Sequence, residues 1–288
     1  MERVVGTYTV DGQTIEYSIT GKVGEPVLVM HGGHSNCYEE FGYGALIKND
    51  FMIITPSRAG YGKTSKEIGE SLSTACESYV KLLHHLGIEK VHLLAISAGG
   101  PSGLYFASHY PKRVKTLTLQ SAVTKEWHTP KDNIYKLAQV LFHPSLEKIT
   151  WKLTSIMSNC FPKFMFKQMV PSFSKLSYKQ IQEKMAEEDI EEICKMNHRQ
   201  RSGYGFLIDL LQTKEITLKD IKDISCPTFI MHSKNDGAVP LEHSYYVRQH
   251  ILDSELCILE SWGHLIWIGQ EGKAVSKKLI DFLTSYSK

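Results

Sequence analysis

One serine stands where an apolar run gives way to small residues. The stretch "HLLAISAGG" begins as a buried strand and ends around Ser97, with Ala95, Ala98 and Gly99 as near neighbours. Small neighbours let the backbone turn sharply beside an adjoining strand or helix. The next segment, "PSGLYFASHY", predicts a helix. This order is typical of a nucleophile elbow with Ala95 in place of the first glycine of G-x-S-x-G, and a serine that caps a helix is the alternative.

A serine nucleophile needs a base, and the base needs an acid that orients it. His264 follows the predicted strand "ELCILES" beside the flexible Gly263, which suits a base that reaches back to the serine. Asp236 follows the predicted strand "PTFIMHS" in a turn before Pro240. It is the candidate acid, and its alternative role is that of a turn former or helix cap.

The loop "HGGHSN" follows the predicted strand "PVLVM". Its glycines permit close backbone approach, so the amides of Gly33 and Ala98 are candidates for an oxyanion hole. A tight turn without a ligand is the alternative. We expect His31 to brace this loop, and His34 to face either the substrate or solvent. Trp262, in the segment "SWGH", is the second candidate substrate contact.

The elements that must position these residues begin with a predicted antiparallel hairpin. "RVVGTYTV" and "QTIEYSIT" are joined by Asp11 and Gly12, a pair that favours a tight turn. Four further apolar runs lack strict alternation, as expected of strands covered on both faces: "EPVLVM", "FMIITP", "KVHLLAI" and "VKTLTLQ". The sequence therefore predicts an α/β fold with a mainly parallel sheet, helices on both faces and an antiparallel hairpin at its start.

Residues 123–223 lose the strand pattern and favour helices, after which strands resume with "CPTFIMHS". We therefore expect a core domain of residues 1–122 and 224–288 that carries a helical insertion at 123–223. Most of the large apolar side chains in its middle are expected to pack the insertion onto the core, and the alternative is that some line an apolar pocket. These side chains are Trp151, Ile156, Met157, Phe161, Phe164, Met165, Phe166, Met169 and Phe173.

Composition narrows the class of protein. The 288 residues are 42% hydrophobic and 22% charged, which is ordinary for a globular chain that buries a large core. A net charge of +2 gives no reason to expect nucleic acid or an anionic membrane as the partner. Glu2 and Arg3 do not suit a signal peptide and no segment has the apolar length of a membrane span, so we expect a cytoplasmic protein without membrane insertion.

The six cysteines lie far apart, without C-x-x-C pairs or histidines at metal-ligand spacing. This spacing suggests neither a zinc site nor a disulfide framework. We expect mostly buried, reduced thiols. The cysteines are Cys37, Cys76, Cys160, Cys194, Cys226 and Cys257.

Five motifs together resemble the α/β-hydrolase superfamily over nearly the whole chain. They are "HGG" at 31–33, "SRAGYGKTS" at 57–65, "AISAGG" at 95–100, "NDGAVP" at 235–240 and "GH" at 263–264. Their order gives the family's sequence of serine, acid and histidine. The resemblance implies a cap where the helical insertion follows the sixth strand, a structural role for Arg58 under the oxyanion loop, and no metal or organic cofactor.

The resemblance also implies two places for the acid. Some members carry it after the sixth strand, where "QSAV" offers no carboxylate and Glu126 comes several residues later. Asp236 is therefore preferred. Members with an aspartate nucleophile, such as haloalkane dehalogenases and epoxide hydrolases, are disfavoured because position 97 is serine.

The leading hypothesis is a serine hydrolase that cleaves a small or medium apolar ester through an acyl-enzyme. The same framework also serves carbon–carbon bond cleavage in diketones, hydrolysis of amides, lactones or thioesters, and acyl transfer to an acceptor other than water. A ligand-binding member of the fold with little turnover is the hypothesis from another class. Sequence leaves the oligomeric state open.

Overall fold

The computed structural model describes residues 2–127 and 132–287. Its strands are β1 (Arg3–Val10), β2 (Gln13–Thr20), β3 (Glu25–Met30), β4 (Phe51–Pro56), β5 (Val91–Ile96), β6 (Val114–Gln120), β7 (Thr228–Ser233) and β8 (Ser254–Leu259). In the described residues they form one eight-stranded sheet in the order β1-β2-β4-β3-β5-β6-β7-β8. β2 pairs antiparallel with β1 and β4, and the other pairs are parallel. The predicted fold class is confirmed.

The hairpin turn has the geometry that its residues favour. Asp11 and Gly12 have φ angles of 52° and 75°, both in the left-handed region. Two such residues between strands form the primed turn whose twist matches that of a β-hairpin. Val10 accordingly pairs with Gln13, and the register continues to Arg3 opposite Thr20.

The helices are α1 (Tyr43–Lys48), α2 (Leu72–His85), α3 (Gly100–His109), α4 (Asn133–Leu141), α5 (Glu147–Cys160), α6 (Pro162–Phe173), α7 (Tyr178–Gln182), α8 (Glu187–Arg199), α9 (Gly205–Gln212), α10 (Leu218–Lys222), α11 (Glu242–His250) and α12 (Gly272–Ser285). The stretch "KQIQEKMAEEDIEEICKM" contains the end of α7 and most of α8. Asp189 accepts a hydrogen bond from the Ala186 amide at 2.8 Å, which caps the start of α8. Sequence reasoning did not predict α6, because prolines at 162 and 171 interrupt its pattern.

Apolar side chains cover both faces of the parallel strands. In β5, Leu93 and Ala95 pack into the cluster beneath α2 and α3, whereas Leu94 and Ile96 pack into the cluster beneath α1 and α12. Alternate residues of a strand point to opposite faces, so a strand between two helical layers is apolar at every position. The strands thereby end at one rigid edge, where the polar residues discussed below begin.

Helices α4–α10 lie between β6 and β7. Among the large apolar side chains listed from the sequence, Ile156, Phe161 and Phe164 are largely exposed. Trp151 and Phe166 are buried. Ile156 is exposed because it lies on the face of α5 opposite the one that bonds to α8.

The thiols are less buried than expected. Cys37, Cys76 and Cys226 are buried, Cys194 and Cys257 are half-buried, and Cys160 is exposed; all six are free. Within the described ranges, none of the helices has the length and apolar character needed to cross a bilayer.

Candidate active site

Ser97 stands in a strained turn between β5 and α3. Its φ angle of 50° lies in the left-handed region, which non-glycine residues seldom adopt. A side chain on Gly99 would meet the Met30 carbonyl oxygen at 2.2 Å, and one on Gly100 would meet the Val123 carbonyl oxygen at 1.9 Å. The turn is therefore held between the ends of β3 and β6, and it accepts only glycine at these two positions.

The departure from G-x-S-x-G at Ala95 has a packing explanation. A Cβ on Gly103 of α3 would lie 2.4 Å from the Ala95 Cβ. The close approach of helix and strand is therefore achieved by glycine on the helix, which leaves room for one methyl group on the strand.

Ser97, His264 and Asp236 form one hydrogen-bonded chain. His264 Nδ1 lies 2.8 Å from Asp236 Oδ2, and His264 Nε2 lies 2.9 Å from Ser97 Oγ. Because the carboxylate only accepts, Nδ1 carries the proton, and Nε2 is free to accept from the serine hydroxyl. The structure thus brings together the three residues selected from the sequence, in the geometry of a Ser-His-Asp triad.

Asp236 is held from several sides. The amides of Ala238 and Val239 donate to its Oδ1 at 2.8 and 2.9 Å. Burial by itself raises the pKa of Asp236, but the charge of His264 and hydrogen bonds from His232 and His264 together hold that pKa well below its usual range. The carboxylate is therefore ionised throughout the neutral range.

His232 is a neighbour of Asp236 that sequence reasoning missed. It is fully buried at the end of β7, with Nε2 3.1 Å from Asp236 Oδ2 and 3.0 Å from the Val239 carbonyl oxygen. Both partners accept, so Nε2 carries the proton and Nδ1 takes the Ser244 hydroxyl at 2.6 Å. The signal in the sequence is a histidine four residues before the acid in "HSKND".

The end of α6 joins the loops of the acid and the base. The Phe173 carbonyl oxygen accepts from the Gly237 amide at 3.1 Å and from the His264 amide at 2.8 Å. A Cβ on Gly263 would lie 2.4 Å from that oxygen, so this approach requires glycine. These are backbone contacts, and the side-chain pattern of the sequence carries no signal for them.

The loop after β3 passes over the serine turn. A Cβ on Gly32 would lie 3.3 Å from the Ser97 Cβ, and one on Gly33 would lie 3.6 Å from the Ala98 Cβ. His31 braces this loop, because its Nε2 accepts from the Arg58 amide at 2.9 Å and its ring Nδ1 lies 2.7 Å from the Gly32 carbonyl oxygen.

Arg58 connects this loop to α9. Its Nε donates to the His31 carbonyl oxygen at 2.7 Å, and its guanidinium binds Asp209 through both terminal nitrogens. Tyr61 donates to Asp209 Oδ2 at 2.6 Å. All three side chains are buried. Asp209 was not predicted from the sequence, because nothing in the helical stretch "GFLIDLLQ" indicates that its one aspartate binds a partner 151 residues away.

The geometry agrees with comparisons against known proteins. Residues 25–269 match the family model of the alpha/beta hydrolase fold. The chain is an α/β hydrolase. It is 61% identical over 285 residues to the uncharacterised hydrolase YcgS of Bacillus subtilis (strain 168), an alignment that covers 99% of this chain and 100% of the relative.

Similarity extends to a more distant relative and to a solved structure of the same fold. A 2-hydroxy-6-oxononadienedioate/2-hydroxy-6-oxononatrienedioate hydrolase of Comamonas testosteroni is 25% identical over 281 residues, covering 91% of this chain and 88% of the relative. The solved structure of an alpha/beta hydrolase fold protein from Nakamurella multipartita superposes with a TM-score of 0.81 at 23% identity, covering 97% of this chain and 99% of that one.

In this hydrolase, His34 lies among aromatic rings contributed by the inserted helices. The ring centroids of Phe206, Phe142 and Trp151 lie 4.0, 4.2 and 5.2 Å from that of His34. Its Nδ1 is 2.8 Å from Ser202 Oγ. Burial lowers the pKa of His34 to about 3, so the imidazole is neutral at physiological pH.

Two candidates from the sequence remain, Trp262 and Glu126. Trp262 is fully buried against Phe166 and Phe173 of α6, and its indole faces Gly269, so its surroundings favour a packing role. Its part in substrate binding stays a prediction. Glu126, the rival acid, is half-exposed with its carboxylate 3.9 Å from the Lys214 ammonium.

Proposed function

We propose that this hydrolase is a serine esterase that cleaves a small or medium apolar carboxylic ester through an acyl-enzyme. The observation that carries the proposal is the continuous chain from the Ser97 hydroxyl through His264 to Asp236, with the serine on a strained turn. A hydroxyl placed in this way has a base within reach and an ionised acid behind that base.

The first half of the reaction acylates the serine. Ser97 Oγ attacks the ester carbonyl carbon while His264 Nε2 takes its proton, and the carbonyl electron pair moves onto oxygen. The amides of Gly33 and Ala98 stabilise the oxyanion, and Asp236 stabilises the imidazolium. The intermediate then expels the alkoxide, which receives the proton from His264 and leaves as the alcohol.

The second half regenerates the enzyme. A water molecule gives its proton to His264 and its oxygen attacks the acyl carbon. When this second tetrahedral intermediate collapses, the carboxylic acid leaves and Ser97 Oγ regains the proton. The Phe173 carbonyl oxygen keeps His264 in position in both halves of the reaction, because it accepts hydrogen bonds from the backbone amides of His264 and Gly237.

The surroundings of His34 support an uncharged, apolar substrate. Aromatic rings stand around its neutral imidazole. Three arginines in the segments that contact the loop are each paired with a carboxylate: Arg58 with Asp209, Arg199 with Glu39 and Glu40, and Arg201 with Glu147. A guanidinium that is already neutralised is a poor partner for a substrate carboxylate.

A second candidate function is cleavage of a carbon–carbon bond in a vinylogous diketone. It is favoured by the relative from Comamonas testosteroni, whose name states 2-hydroxy-6-oxononadienedioate and 2-hydroxy-6-oxononatrienedioate as substrates. Such substrates carry a carboxylate, which the pairing of the three arginines does not favour.

A substrate panel separates the two candidates. p-Nitrophenyl esters of increasing acyl length are compared with a 2-hydroxy-6-oxo dienoate, each with the wild type and with Ser97→Ala. We expect Ser97-dependent ester turnover with an optimum at short or medium chains. Turnover of the diketone without turnover of any ester would replace the esterase proposal by the second candidate.

We also propose that the helices between β6 and β7 act as a cap, within residues 123–223 as predicted. The contact of α6 with the site loops supports this role for α4–α9. The last helix, α10, instead contacts α3 and α11, and its Ile221 joins the core cluster, which supports a cap that ends before it. A cytoplasmic location is part of the proposal, supported by the free, exposed thiol of Cys160.

A further inference from the structure

One helix of the insertion carries apolar side chains on its outer face. Leu146, at the N-cap of α5, and Ile149, Leu153 and Ile156 within the helix recur at three- and four-residue spacing, so they share one face. They are between 45% and 58% exposed. Large aliphatic residues that line up on a solvent-exposed face mark an interaction site more often than chance. The stripe extends about 15 Å along the helix axis at 1.5 Å per residue.

The stripe lies opposite the face by which α5 packs. Ser155 and Asn159 bond to His198 of α8, and Ser158 accepts from Asn197. Trp151 and Glu147 are buried on the same side. Helix α5 thus packs on the fold through a mainly polar face, to which Trp151 adds an indole, and it presents its aliphatic face to the outside.

Exposed apolar residues continue on both neighbouring helices. Leu141, at the end of α4, is exposed, and its carbonyl oxygen accepts from the Thr150 hydroxyl of α5 at 3.0 Å. At the other end, Phe161 follows α5 directly and is exposed, as is Phe164. We call the exposed apolar side chains of α4–α6 the outer apolar surface: Leu137, Val140, Leu141, Leu146, Ile149, Leu153, Ile156, Phe161 and Phe164.

Lysines accompany this surface. Residues 133–173 contain five lysines and a single acidic residue, Glu147, which is buried and paired with Arg201. The lysines are all exposed: Lys136, Lys148, Lys152, Lys163 and Lys167. Lys163 pairs with Glu187, the first residue of α8. The net charge of the whole chain, +2, does not show this local excess of positive charge.

We propose that α4–α6 dock on an anionic lipid surface, with the outer apolar surface in the headgroup layer and the lysines on the lipid phosphates. An amphipathic helix with aliphatic residues and flanking lysines has the two attractions that interfacial binding needs. Lysine stems are long enough to keep the ammonium at the phosphates while the helix lies lower. The protein docks on this surface without spanning it.

A second copy of this chain is the less favoured occupant. A two-fold interface through α5 would place each lysine-rich face against its own copy, and like charges across an interface repel. An anionic bilayer offers the opposite charge and an apolar layer beneath it.

The test is co-sedimentation of the full chain with vesicles. Vesicles of phosphatidylglycerol and phosphatidylcholine are compared with vesicles of phosphatidylcholine alone, at 0.1 and 0.5 M NaCl. We expect binding to the anionic vesicles that is at least tenfold stronger than to the neutral ones and that weakens at high salt.

Paired variants assign the binding to this face. Lys148→Gln with Lys152→Gln removes two charges, each contributing roughly fivefold near an anionic surface, so binding should weaken roughly 25-fold. Ile149→Ser with Leu153→Ser should weaken binding at least tenfold. Leu252→Ser and the pair Lys273→Gln with Lys278→Gln are matched exposed controls outside α4–α6, and they should bind like the wild type.

Several results would overturn the proposal. They are no binding to anionic vesicles, equal binding to neutral vesicles, or the same loss in the control variants. Sedimentation velocity that shows a dimer of the wild type and a monomer of Ile149→Ser with Leu153→Ser would assign the face to a second copy. Binding of the wild type to an acidic peptide in place of vesicles would assign it to a protein partner. Unchanged melting temperatures of the variants ensure that folding is not the cause.

Discussion

The edge of the sheet that carries Ser97 buries polar side chains, whereas helices α4–α6 expose apolar ones. At the sheet edge, the polar side chains of Ser97, His264 and Asp236 are buried and hydrogen-bonded to one another. On α4–α6, aliphatic side chains such as Leu153 face solvent. Buried polar groups are maintained because their partners satisfy them, and exposed apolar groups contribute little to the fold. The sheet edge at Ser97 therefore has the buried, hydrogen-bonded side chains of a reactive site, whereas α4–α6 have exposed apolar side chains that can contact another surface.

The largest expected effect is at Asp236. Asp236→Asn keeps the shape of the site but favours the wrong tautomer of His264, so kcat should fall on the order of 10⁴-fold, by analogy with the Ser-His-Asp triad of serine proteases. Glu126→Gln is the matched control on an exposed carboxylate, and its kcat should change little. Both are measured with one activated ester at equal thermal stability. A silent Asp236→Asn with a large loss at Glu126 would move the acid to the end of the sixth strand.

The next effect concerns the buried ion pair that links α9 to the loop after β3. Asp209→Asn leaves the buried Arg58 guanidinium without its carboxylate, which should cost about 3–5 kcal/mol of unfolding free energy. Glu187→Gln breaks the exposed pair with Lys163, and the midpoint of denaturant unfolding should not change measurably. Equal midpoints for the two variants would show that the buried pair does not hold α9 to the loop.

Two leucines test the contrast in packing. Leu104 of α3 is fully buried, and Leu104→Ala should cost about 2–5 kcal/mol. Leu153 of α5 is exposed, and Leu153→Ala should change the unfolding free energy by less than about 0.5 kcal/mol. Urea denaturation measures both. If Leu153→Ala destabilises the fold as much as Leu104→Ala, the outer face of α5 is part of the core.

A smaller effect is expected at His232, which we assign as a positioning residue for Asp236. His232→Leu removes the hydrogen bond to Asp236 Oδ2, so kcat should fall about tenfold while KM stays unchanged. His232→Gln retains an N–H at a similar reach and should recover most of the rate. Equal rates for the leucine and glutamine variants would mean that position 232 serves packing alone.

The sequence predicted the parts of the site that local geometry dictates. Ser97 and Gly99 sit where a strand must turn sharply into a helix, and His264 and Asp236 follow strands that end at the same edge, so their places follow from short motifs. Asp209 and His232 were missed. Their roles depend on long-range packing, which brings α9 to Arg58 and points the end of β7 at the acid.

The fold was predictable for a related reason. Apolar runs without alternation, such as β5, belong to strands covered on both faces. The insertion was harder, because α6 contains two prolines and because apolar residues on α5 occupy two faces. A pattern of this kind shows that a helix exists, but it does not show which apolar face the fold uses and which it leaves exposed.

Covalent labelling tests directly whether Ser97 is the nucleophile of this hydrolase. The folded protein is treated with a fluorophosphonate probe, and the adduct is located by mass spectrometry of its peptides, with Ser97→Ala and the exposed Ser285→Ala as matched variants. We predict one adduct on Ser97 in the wild type and in Ser285→Ala, and none in Ser97→Ala, because the Ser97 hydroxyl lies 2.9 Å from His264 Nε2 in the triad. A folded wild-type protein that stays unlabelled, or one labelled at another serine, would contradict it and favour a ligand-binding role.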